Sequence, residues 1–248
     1  MHILYQQTGS NHQITVYDTT ELEGEKGNFR VLQFSNQAAQ GAMDLDAPQR
    51  ILFEYPRAMI HLMDFNNPSF QNLFIIGHGI GTIAGHYKDK QVKIAELDDN
   101  VVELSRRYFE YSQDNVIVGD GRRILEGEAS HRYDYLILDA FTGKGTPRHL
   151  TTREFFSAAR AKLDSQGAIL MNVMGKGEND RLMNAIHTTL SGEFAYTKSF
   201  CLLSGGAAHD LQNIILMGSS RPIGFQLRQM AGFTEIEPGQ GHIIMDSD

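Results

Sequence analysis

The strongest structural signal in this chain comes from two neighbouring segments, NLFIIGHGIGTIAGHY at residues 72–87 and QVKIAELDDN at residues 91–100. Each begins with a short apolar run of the kind that forms a buried strand. Between the two lies the glycine-rich run GHGIG at residues 77–81, and glycine lets a backbone turn sharply and approach a ligand closely. The second strand ends at an acid, Glu96. This order of strand, glycine loop, strand and acid indicates a nucleoside-binding α/β unit.

Strands and helices alternate from this point onward. The predicted strands are Asn72–Ile76, Gln91–Leu97, Asn115–Val118, Tyr133–Leu138, Ala168–Val173, Phe194–Leu203 and Leu211–Met217. The predicted helices begin near Pro56, follow the N-cap Asp98, span Thr152–Leu163 and run through Leu182, Ile186 and Leu190. The alternation predicts a mostly parallel, doubly wound sheet. The last two strands have no helix between them, so we expect them to pair antiparallel at one edge.

The first fifty residues have a different pattern. They contain short β-prone runs, HILYQQ, QITVYD and FRVLQFS, separated by the turn-rich pieces TGSN and EGEKGN. These runs predict a small antiparallel β-element, and Met43–Gln49 is interpreted as a polar connection out of it. We therefore divide the chain into an N-terminal β-element at residues 1–49 and a nucleoside-binding domain at residues 50–248.

Composition narrows the functional classes. The chain has 248 residues, of which 41% are hydrophobic, enough for one large α/β domain with a small appendage. Its formal net charge of −8 argues against non-specific nucleic-acid binding, and it is compatible with a cationic substrate, although solubility is the commoner reason for such a charge. The apolar runs are too short to span a bilayer, and no signal peptide is expected. Cys201 is the single cysteine, which favours a reducing cytoplasm.

Three carboxylates follow predicted strands, and ligands of such sheets bind beyond the carboxyl ends of the strands. Glu96 can accept hydrogen bonds from both hydroxyls of a ribose. Asp120, between two glycines, can accept from the exocyclic amine of adenine, although a helix N-cap is an equally good interpretation. Asp139 can act as a general base or steer a cationic nucleophile, and the glycine-rich loop at residues 140–147 could close over a substrate. His78 is interpreted as a bystander in the first loop.

Phosphate-binding motifs fit less well. Gly143-Lys144-Gly145 does not supply the Gly-Lys-Ser/Thr of a phosphate-binding loop. Thr82 stands where the strict dinucleotide fingerprint has its third glycine. The ten histidines show no metal-ligand spacing next to cysteine, so no metal site is expected. A nucleoside without phosphates is therefore the favoured ligand.

The runs NLFIIGHGIGTIAGHY, IAELDDNVVELSRRYF, VIVGDGRRIL, YDYLILDAFTG and TPRHLTTREFF together resemble the spermidine/spermine synthase, or aminopropyltransferase, family. The resemblance extends over roughly Arg50 to Val173. It implies an N-terminal β-domain and a Rossmann-like sheet of the S-adenosylmethionine methyltransferase type. It also implies transfer of an aminopropyl group from decarboxylated S-adenosylmethionine, used as a co-substrate, to an amine acceptor.

The resemblance also assigns roles by position. Asp139 would take a proton from the attacking amine or orient it. The residues on the donor side would be Gln40, Gly77, Gly79, Glu96, Leu97, Asp120, Gly121 and Ala140. The positions on the acceptor side would be Tyr55, Ile80 and Thr142.

The sequence departs from the family pattern on the acceptor side. The glycine loop of the family usually contains an aspartate where this chain has Ile80, and the family's second acid is replaced by Thr142. Loss of a carboxylate that pairs with a buried ammonium would weaken binding by about 2–5 kcal/mol. Recognition of putrescine is therefore in question, and the pattern resembles a divergent bacterial branch of the family.

Three hypotheses remain open at this point. The favoured one is an aminopropyltransferase-like enzyme acting on a small amine. The second is a methyltransferase that uses intact S-adenosylmethionine, since a chain without the acid at Ile80 could accommodate the amino-acid end of that donor. The third is a catalytically silent module that has kept the nucleoside pocket. A homodimer or higher homo-oligomer is expected from the resemblance.

Overall fold

A computed structural model describes residues 1–8, 13–35, 39–142, 145–177, 180–202 and 212–247. Its strands are β1 (His2–Thr8), β2 (Gln13–Leu22), β3 (Glu25–Phe34), β4 (Ala39–Asp44), β5 (Asn72–Ile76), β6 (Gln91–Glu96), β7 (Val116–Val118), β8 (Tyr133–Leu138), β9 (Leu163–Gly175), β10 (Tyr196–Leu202), β11 (Gln212–Ser219) and β12 (Phe233–Ile236). Its helices are α1 (Glu54–Asn66), α2 (Thr82–His86), α3 (Asp99–Tyr108), α4 (Gly121–Glu126), α5 (Arg153–Lys162) and α6 (Arg181–Ser191), with 3₁₀ turns at Arg148–Leu150 and Leu227–Gln229.

The N-terminal residues form an antiparallel sheet in the order β1-β2-β3-β4. Glu23 and Gly24 link β2 to β3 with consecutive positive φ angles of 50° and 85°, as a tight hairpin turn requires. The predicted β-element is confirmed, but the prediction of a polar connection from Met43 is wrong. Met43 lies buried in β4, a strand that the sequence did not indicate because glycine and glutamine interrupt its apolar pattern.

The large sheet has the order β12-β10-β11-β9-β8-β5-β6-β7. Strands β9, β8, β5, β6 and β7 are parallel, whereas β11 lies between β9 and β10 and is antiparallel to both. The predicted Rossmann-like α/β sheet with antiparallel last strands is thus confirmed. The edge itself is different from the prediction, since β12 pairs with β10 and forms the border. Its four residues are too few to show a period in the sequence.

Helices cover both faces of this sheet. In β5, Leu73 and Ile75 pack into the core cluster that contains α1 and α2, whereas Phe74 and Ile76 pack into the cluster that contains α5 and α6. A strand buried on both faces is apolar along its whole length, which explains why it was easy to predict. Helix α3 instead joins the N-terminal sheet in a third cluster.

The helix boundaries follow local capping. Asp98 and Thr152 accept hydrogen bonds from backbone N–H groups at the starts of α3 and α5, as N-caps do. Helix α1 begins at Glu54, two residues before the predicted start at Pro56. The helix predicted through Leu182, Ile186 and Leu190 is α6, which Asp180 caps, and Leu182 lies exposed in its first turn.

Some predictions fall outside the described residues. They concern Gly143 and Lys144 in the sequence 140–147, and Leu203 and Leu211 at the ends of the last two predicted strands. Among the described residues, no helix is long and apolar enough to cross a bilayer. The division of the chain at residue 49 stays a prediction.

Candidate functional site

The site lies at the carboxyl edge of the parallel strands. Glu96 is the last residue of β6, Asp120 follows β7 by two positions, and Asp139 follows β8 directly. Parallel strands end at the same edge of a sheet, so the structure brings the three carboxylates to one border of the molecule. The positions of the three acids after predicted strands indicate the same grouping.

The glycine loop after β5 approaches β8 very closely. Gly77 has a φ of +97°, and its N–H donates to the carbonyl oxygen of Ala95 at 2.9 Å. A Cβ atom at position 77 would overlap the carbonyl oxygen of Asp139. Gly79 also has a positive φ, of 54°, and faces the carbonyl oxygen of Gln40 in β4. Glycine at 77 therefore lets the loop and the end of β8 come together.

Glu96 fastens this loop to the start of α3. Its Oε2 atom accepts from the N–H of His78 at 2.8 Å, and its Oε1 atom accepts from the N–H of Asp98 at 3.0 Å. Burial raises the pKa of Glu96, and these backbone donors only partly offset that effect. Each carboxylate oxygen has a second acceptor position, so the carboxylate can still receive the hydroxyls of a ribose. Leu97, next in the chain, is 72% exposed and offers an apolar surface beside it.

His78 is turned into the protein. Its Nε2 atom lies 2.8 Å from Oγ of Ser105, which in turn donates to the carbonyl oxygen of Val102 at 2.8 Å. Because that hydroxyl has a single proton, we assign the proton of the imidazole to Nε2. Burial, and then the charge of Arg106, lower the pKa of His78 to about 4. His78 is therefore neutral and packs edge-to-face on Tyr111.

Asp120 caps α4 and meets a histidine that sequence analysis did not identify. Its Oδ1 atom accepts from the N–H of Arg123 at 2.9 Å, and its Oδ2 atom lies 3.0 Å from Nε2 of His149. Burial alone would raise the pKa of Asp120, but the N–H of Arg123 and the His149 ring outweigh it and lower the pKa. Gly121 packs beneath β5, since a Cβ there would overlap the side chain of Ile76. The N-cap interpretation and the ligand-acceptor interpretation of Asp120 are compatible.

Asp139 is held by one donor on each oxygen. The hydroxyl of Tyr55, from α1, donates to Oδ2 at 3.1 Å, and Nδ2 of Asn172, from β9, donates to Oδ1 at 2.9 Å. Burial raises the pKa of Asp139, and the bonds from Asn172 and Tyr55 reduce that rise without cancelling it. Burial, followed by the charge of Asp139, holds the pKa of Tyr55 well above its usual range, so Tyr55 remains a donor.

Asn172 was missed by sequence analysis. It is buried at 1% exposure in β9, beside β8, within the apolar run AILMNVM. Its Oδ1 atom is buried and has no hydrogen-bond partner in the part of the chain that the structure describes. A single amide in an otherwise apolar central strand was the available signal, because a buried polar side chain needs a partner.

The acceptor-side positions carry no carboxylate. Ile80 is buried with residues of the N-terminal sheet and of α3, and a Cβ at Gly41 would lie 2.6 Å from its Cγ2 atom. Thr142 is exposed, and its hydroxyl donates to the carbonyl oxygen of Gly145 at 2.9 Å. Ala140 packs against the core cluster of α5 and α6. Within the described residues, no three His, Cys, Asp or Glu side chains are grouped in a way that could hold a metal ion.

The strand order, with three carboxylates at the carboxyl edge of the parallel strands, defines a methyltransferase-type α/β fold. The chain belongs to the spermine/spermidine synthase domain family, whose model matches residues 52–207. The family resemblance inferred from the sequence is thus confirmed.

Two curated relatives show the range of named activities around this chain. A polyamine aminopropyltransferase of Vibrio vulnificus (strain CMCP6) is 29% identical over 205 residues, which cover 77% of this chain and 66% of that protein. Putrescine N-methyltransferase 2 of Nicotiana attenuata is 29% identical over 128 residues, covering 47% of this chain and 34% of that protein. The chain therefore matches less than two thirds of the length of either relative.

A solved structure has the same fold. It is described as a probable spermidine synthase from Corynebacterium glutamicum, and it superposes with a TM-score of 0.76 at 22% identity. The superposition covers 90% of this chain and 82% of that one, so it includes both sheets.

Proposed function

We propose that this chain is an aminopropyltransferase that uses decarboxylated S-adenosylmethionine as donor and a small amine as acceptor. The observation that carries the proposal is Asp139, fixed by Tyr55 and Asn172 at the sheet edge that also presents Glu96 and Asp120. The aminopropyltransferase named among its sequence relatives supports the same activity.

The proposed reaction is a displacement at carbon. The acceptor nitrogen attacks the aminopropyl carbon bonded to the sulfonium, a C–N bond forms, and the C–S bond breaks to release methylthioadenosine. The attacking nitrogen loses one proton, and Asp139 receives it. Holding nucleophile and electrophile in line, with a base within reach of the nitrogen, supplies the larger part of such catalysis.

The donor side is assigned from the remaining carboxylates. Glu96 would accept from the ribose hydroxyls, with Leu97 against the base, and Asp120 would accept from the exocyclic amine, with Gly121 next to it. The glycine loop would admit the nucleoside close to the backbone at Gly77 and Gly79. Gln40 and Ala140 would border this half of the pocket.

The acceptor side is expected to bind amines more weakly than a family site that has acids at the positions of Ile80 and Thr142. Tyr55 and Thr142 would line it, and Ile80 would contribute packing beneath it without any charge. Asp139 would then be the carboxylate available to a cationic acceptor, so acceptors with one amine near the reacting carbon are favoured over long polyamines.

Association and location are also proposed. A homodimer or larger homo-oligomer is supported by β1, which forms an edge of the four-stranded sheet and so offers a strand for pairing. A solution mass equal to one chain would contradict it. A cytoplasmic location is supported by Cys201, the single cysteine of the sequence, since one cysteine cannot form a disulfide within the chain. Fractionation of cells would test the location.

The test is product formation by the purified protein. Decarboxylated S-adenosylmethionine is supplied with a panel of mono-, di- and polyamines, and release of methylthioadenosine is measured together with the mass of the product. An acceptor that gains one aminopropyl group supports the proposal, and absence of methylthioadenosine with every acceptor would sink it.

A methyltransferase is the second candidate, because Ile80 supplies no acid and one sequence relative is named a putrescine N-methyltransferase. The same panel with intact S-adenosylmethionine distinguishes the two. A product heavier by one methyl group, with S-adenosylhomocysteine released, would replace the first proposal by the second.

A further inference from the structure

A continuous chain of polar contacts joins the nucleobase end of the proposed donor site to the C-terminal segment. It starts at Asp120, whose Oδ2 atom lies 3.0 Å from Nε2 of His149. The carbonyl oxygen of His149 accepts from Nη1 of Arg122 at 3.2 Å. Arg122 also donates from both terminal nitrogens to the two carboxylate oxygens of Asp246, each at 2.7 Å. Arg122 thus connects the C-terminal segment to the residue that touches Asp120.

Asp246 is itself anchored to the body of the protein. Its Oδ1 atom accepts from the hydroxyl of Thr152 at 2.7 Å, and its N–H donates to Oε2 of Glu154 at 3.0 Å. The bonds from Arg122 and Thr152 lower the pKa of Asp246 to about 2. Two residues earlier, Ile244 is buried and its N–H donates to the hydroxyl of Thr189 at 3.0 Å. The position of Arg122, and through it that of His149, is therefore fixed from outside the site.

The His149 contact restricts what Asp120 can do. Each oxygen of Asp120 already accepts one hydrogen bond, Oδ1 from the N–H of Arg123 and Oδ2 from the ring of His149. A carboxylate oxygen has two acceptor positions, and the imidazole N–H takes one of them. The direction that remains for a ligand N–H is then set by where the ring lies. The side chain of His149 is 47% exposed, so this pair adds little to folding stability, and its effect is mainly on the orientation of Asp120.

We propose that His149 is a specificity-determining positioning residue, which orients Asp120 toward an exocyclic amine on the donor's nucleobase and is held there by the Arg122–Asp246 pair. The inference rests on the proposed function, in which Asp120 reads that amine. It predicts that His149 governs the choice between an amino base and an oxo base, because a carbonyl in place of the amine would face the carboxylate without a proton between them.

The test uses calorimetry to compare the protein's affinity for methylthioadenosine, which carries the exocyclic amine, with its affinity for methylthioinosine, which carries a carbonyl at that position. The measured quantity is the dissociation constant for methylthioinosine divided by that for methylthioadenosine. His149→Phe keeps a ring but removes the donor, and we expect this ratio to fall by about tenfold. His149→Gln retains an N–H donor and is expected to restore most of the ratio. Asp246→Asn, which does not touch Asp120, is expected to lower the ratio by a smaller factor.

Matched controls come from exposed residues outside this chain of contacts. His242 is exposed in the same C-terminal segment, and the side chain of Asp89, which follows α2, is 72% exposed. His242→Phe and Asp89→Asn repeat the two chemical changes and are expected to leave the ratio at its wild-type value.

Two results would overturn the inference. The first is an unchanged ratio in both His149→Phe and Asp246→Asn. The second is an equal loss of affinity for both nucleosides, since that marks a merely structural role. A wild-type protein that binds neither nucleoside would overturn the proposed function, and this inference with it.

Discussion

Asp139 is partly buried and has two hydrogen-bond donors, an environment that suits the role of base that we propose for it. Burial raises its pKa, while Asn172 and Tyr55 each stabilise the charged form through a hydrogen bond. A base works best when its pKa is not far below the working pH, because proton transfer then has a larger driving force. The two donors therefore tune the pKa of Asp139 as well as its orientation.

Tyr55→Phe removes one of these donors, so the pKa of Asp139 should rise further. Protonated, inactive Asp139 then persists to higher pH, and the acidic limb of the kcat profile should move upward by about one pH unit. Asn172→Leu should move it in the same direction. Tyr196→Phe, at an exposed position of β10, is the matched control. An acidic limb that stays in place or moves downward in both variants would contradict the role of these donors.

The residues of the site differ in how far the sequence revealed them. Glu96, Asp120 and Asp139 were found because each follows a strand, and the position of a residue after a strand depends only on local pattern. Tyr55 was found through the family resemblance. Asn172 has a local signal, an amide in an apolar strand, but that signal does not reveal its partner 33 positions away. His149 was missed because its contact is with a residue 29 positions away and no local pattern indicates it.

The glycine loop between β5 and α2 is the element that shapes the site. The loop can pass close to the end of β8 because Gly77 has a left-handed backbone and no Cβ atom to overlap the backbone of Asp139. The hairpin between β2 and β3 contains a glycine with a similar φ, Gly24, but open space surrounds it. An alanine at Gly24 would therefore test the energetic cost of the left-handed backbone alone. An alanine at Gly77 would add the cost of steric overlap.

Gly24→Ala should destabilise the protein by about 1–2 kcal/mol, the cost of placing a Cβ in the left-handed region. Gly77→Ala adds overlap with the carbonyl oxygen of Asp139, and we expect a loss of about 3 kcal/mol or more. Urea unfolding of the two variants measures the difference. Equal losses would mean that the loop can withdraw from β8 without cost, which would contradict a fixed close approach of Gly77 to the backbone of Asp139.

Elements were predicted well where burial on both faces made the sequence uniformly apolar. β5 and β8 were predicted with their observed bounds for that reason. β4 and β12 were missed, since their pairing with β3 and β10 stabilises short, mixed sequences that carry no period of their own.

At the scale of the whole molecule, Ile80 links the glycine loop to the N-terminal sheet. It packs in a cluster with Leu32 and Met43 from that sheet and with Leu104 from α3. The position where the family resemblance leads one to expect an acid is therefore part of the hydrophobic contact between the N-terminal sheet and α3. Only the folded arrangement shows this, because the contact joins segments distant in sequence.

Ile80→Asp should accordingly destabilise the protein by about 3 kcal/mol or more, since it buries a carboxylate and removes apolar packing. It should not confer tighter binding of putrescine. Ile80→Val keeps the apolar contact and should lose about 1 kcal/mol. Denaturant unfolding, with putrescine titration of the folded variants, measures both effects. Unchanged stability together with tighter putrescine binding in Ile80→Asp would show that this position faces the acceptor.

The central claim is that Asp139 takes the proton from an amine during aminopropyl transfer. The most direct measurement is the rate of methylthioadenosine release from decarboxylated S-adenosylmethionine by the wild-type protein and by Asp139→Asn, with the best acceptor of the panel. We expect the variant to bind the donor normally and to lose about 10²–10⁴-fold in rate, as removal of a general base does. A rate in Asp139→Asn equal to that of the wild type would contradict the account.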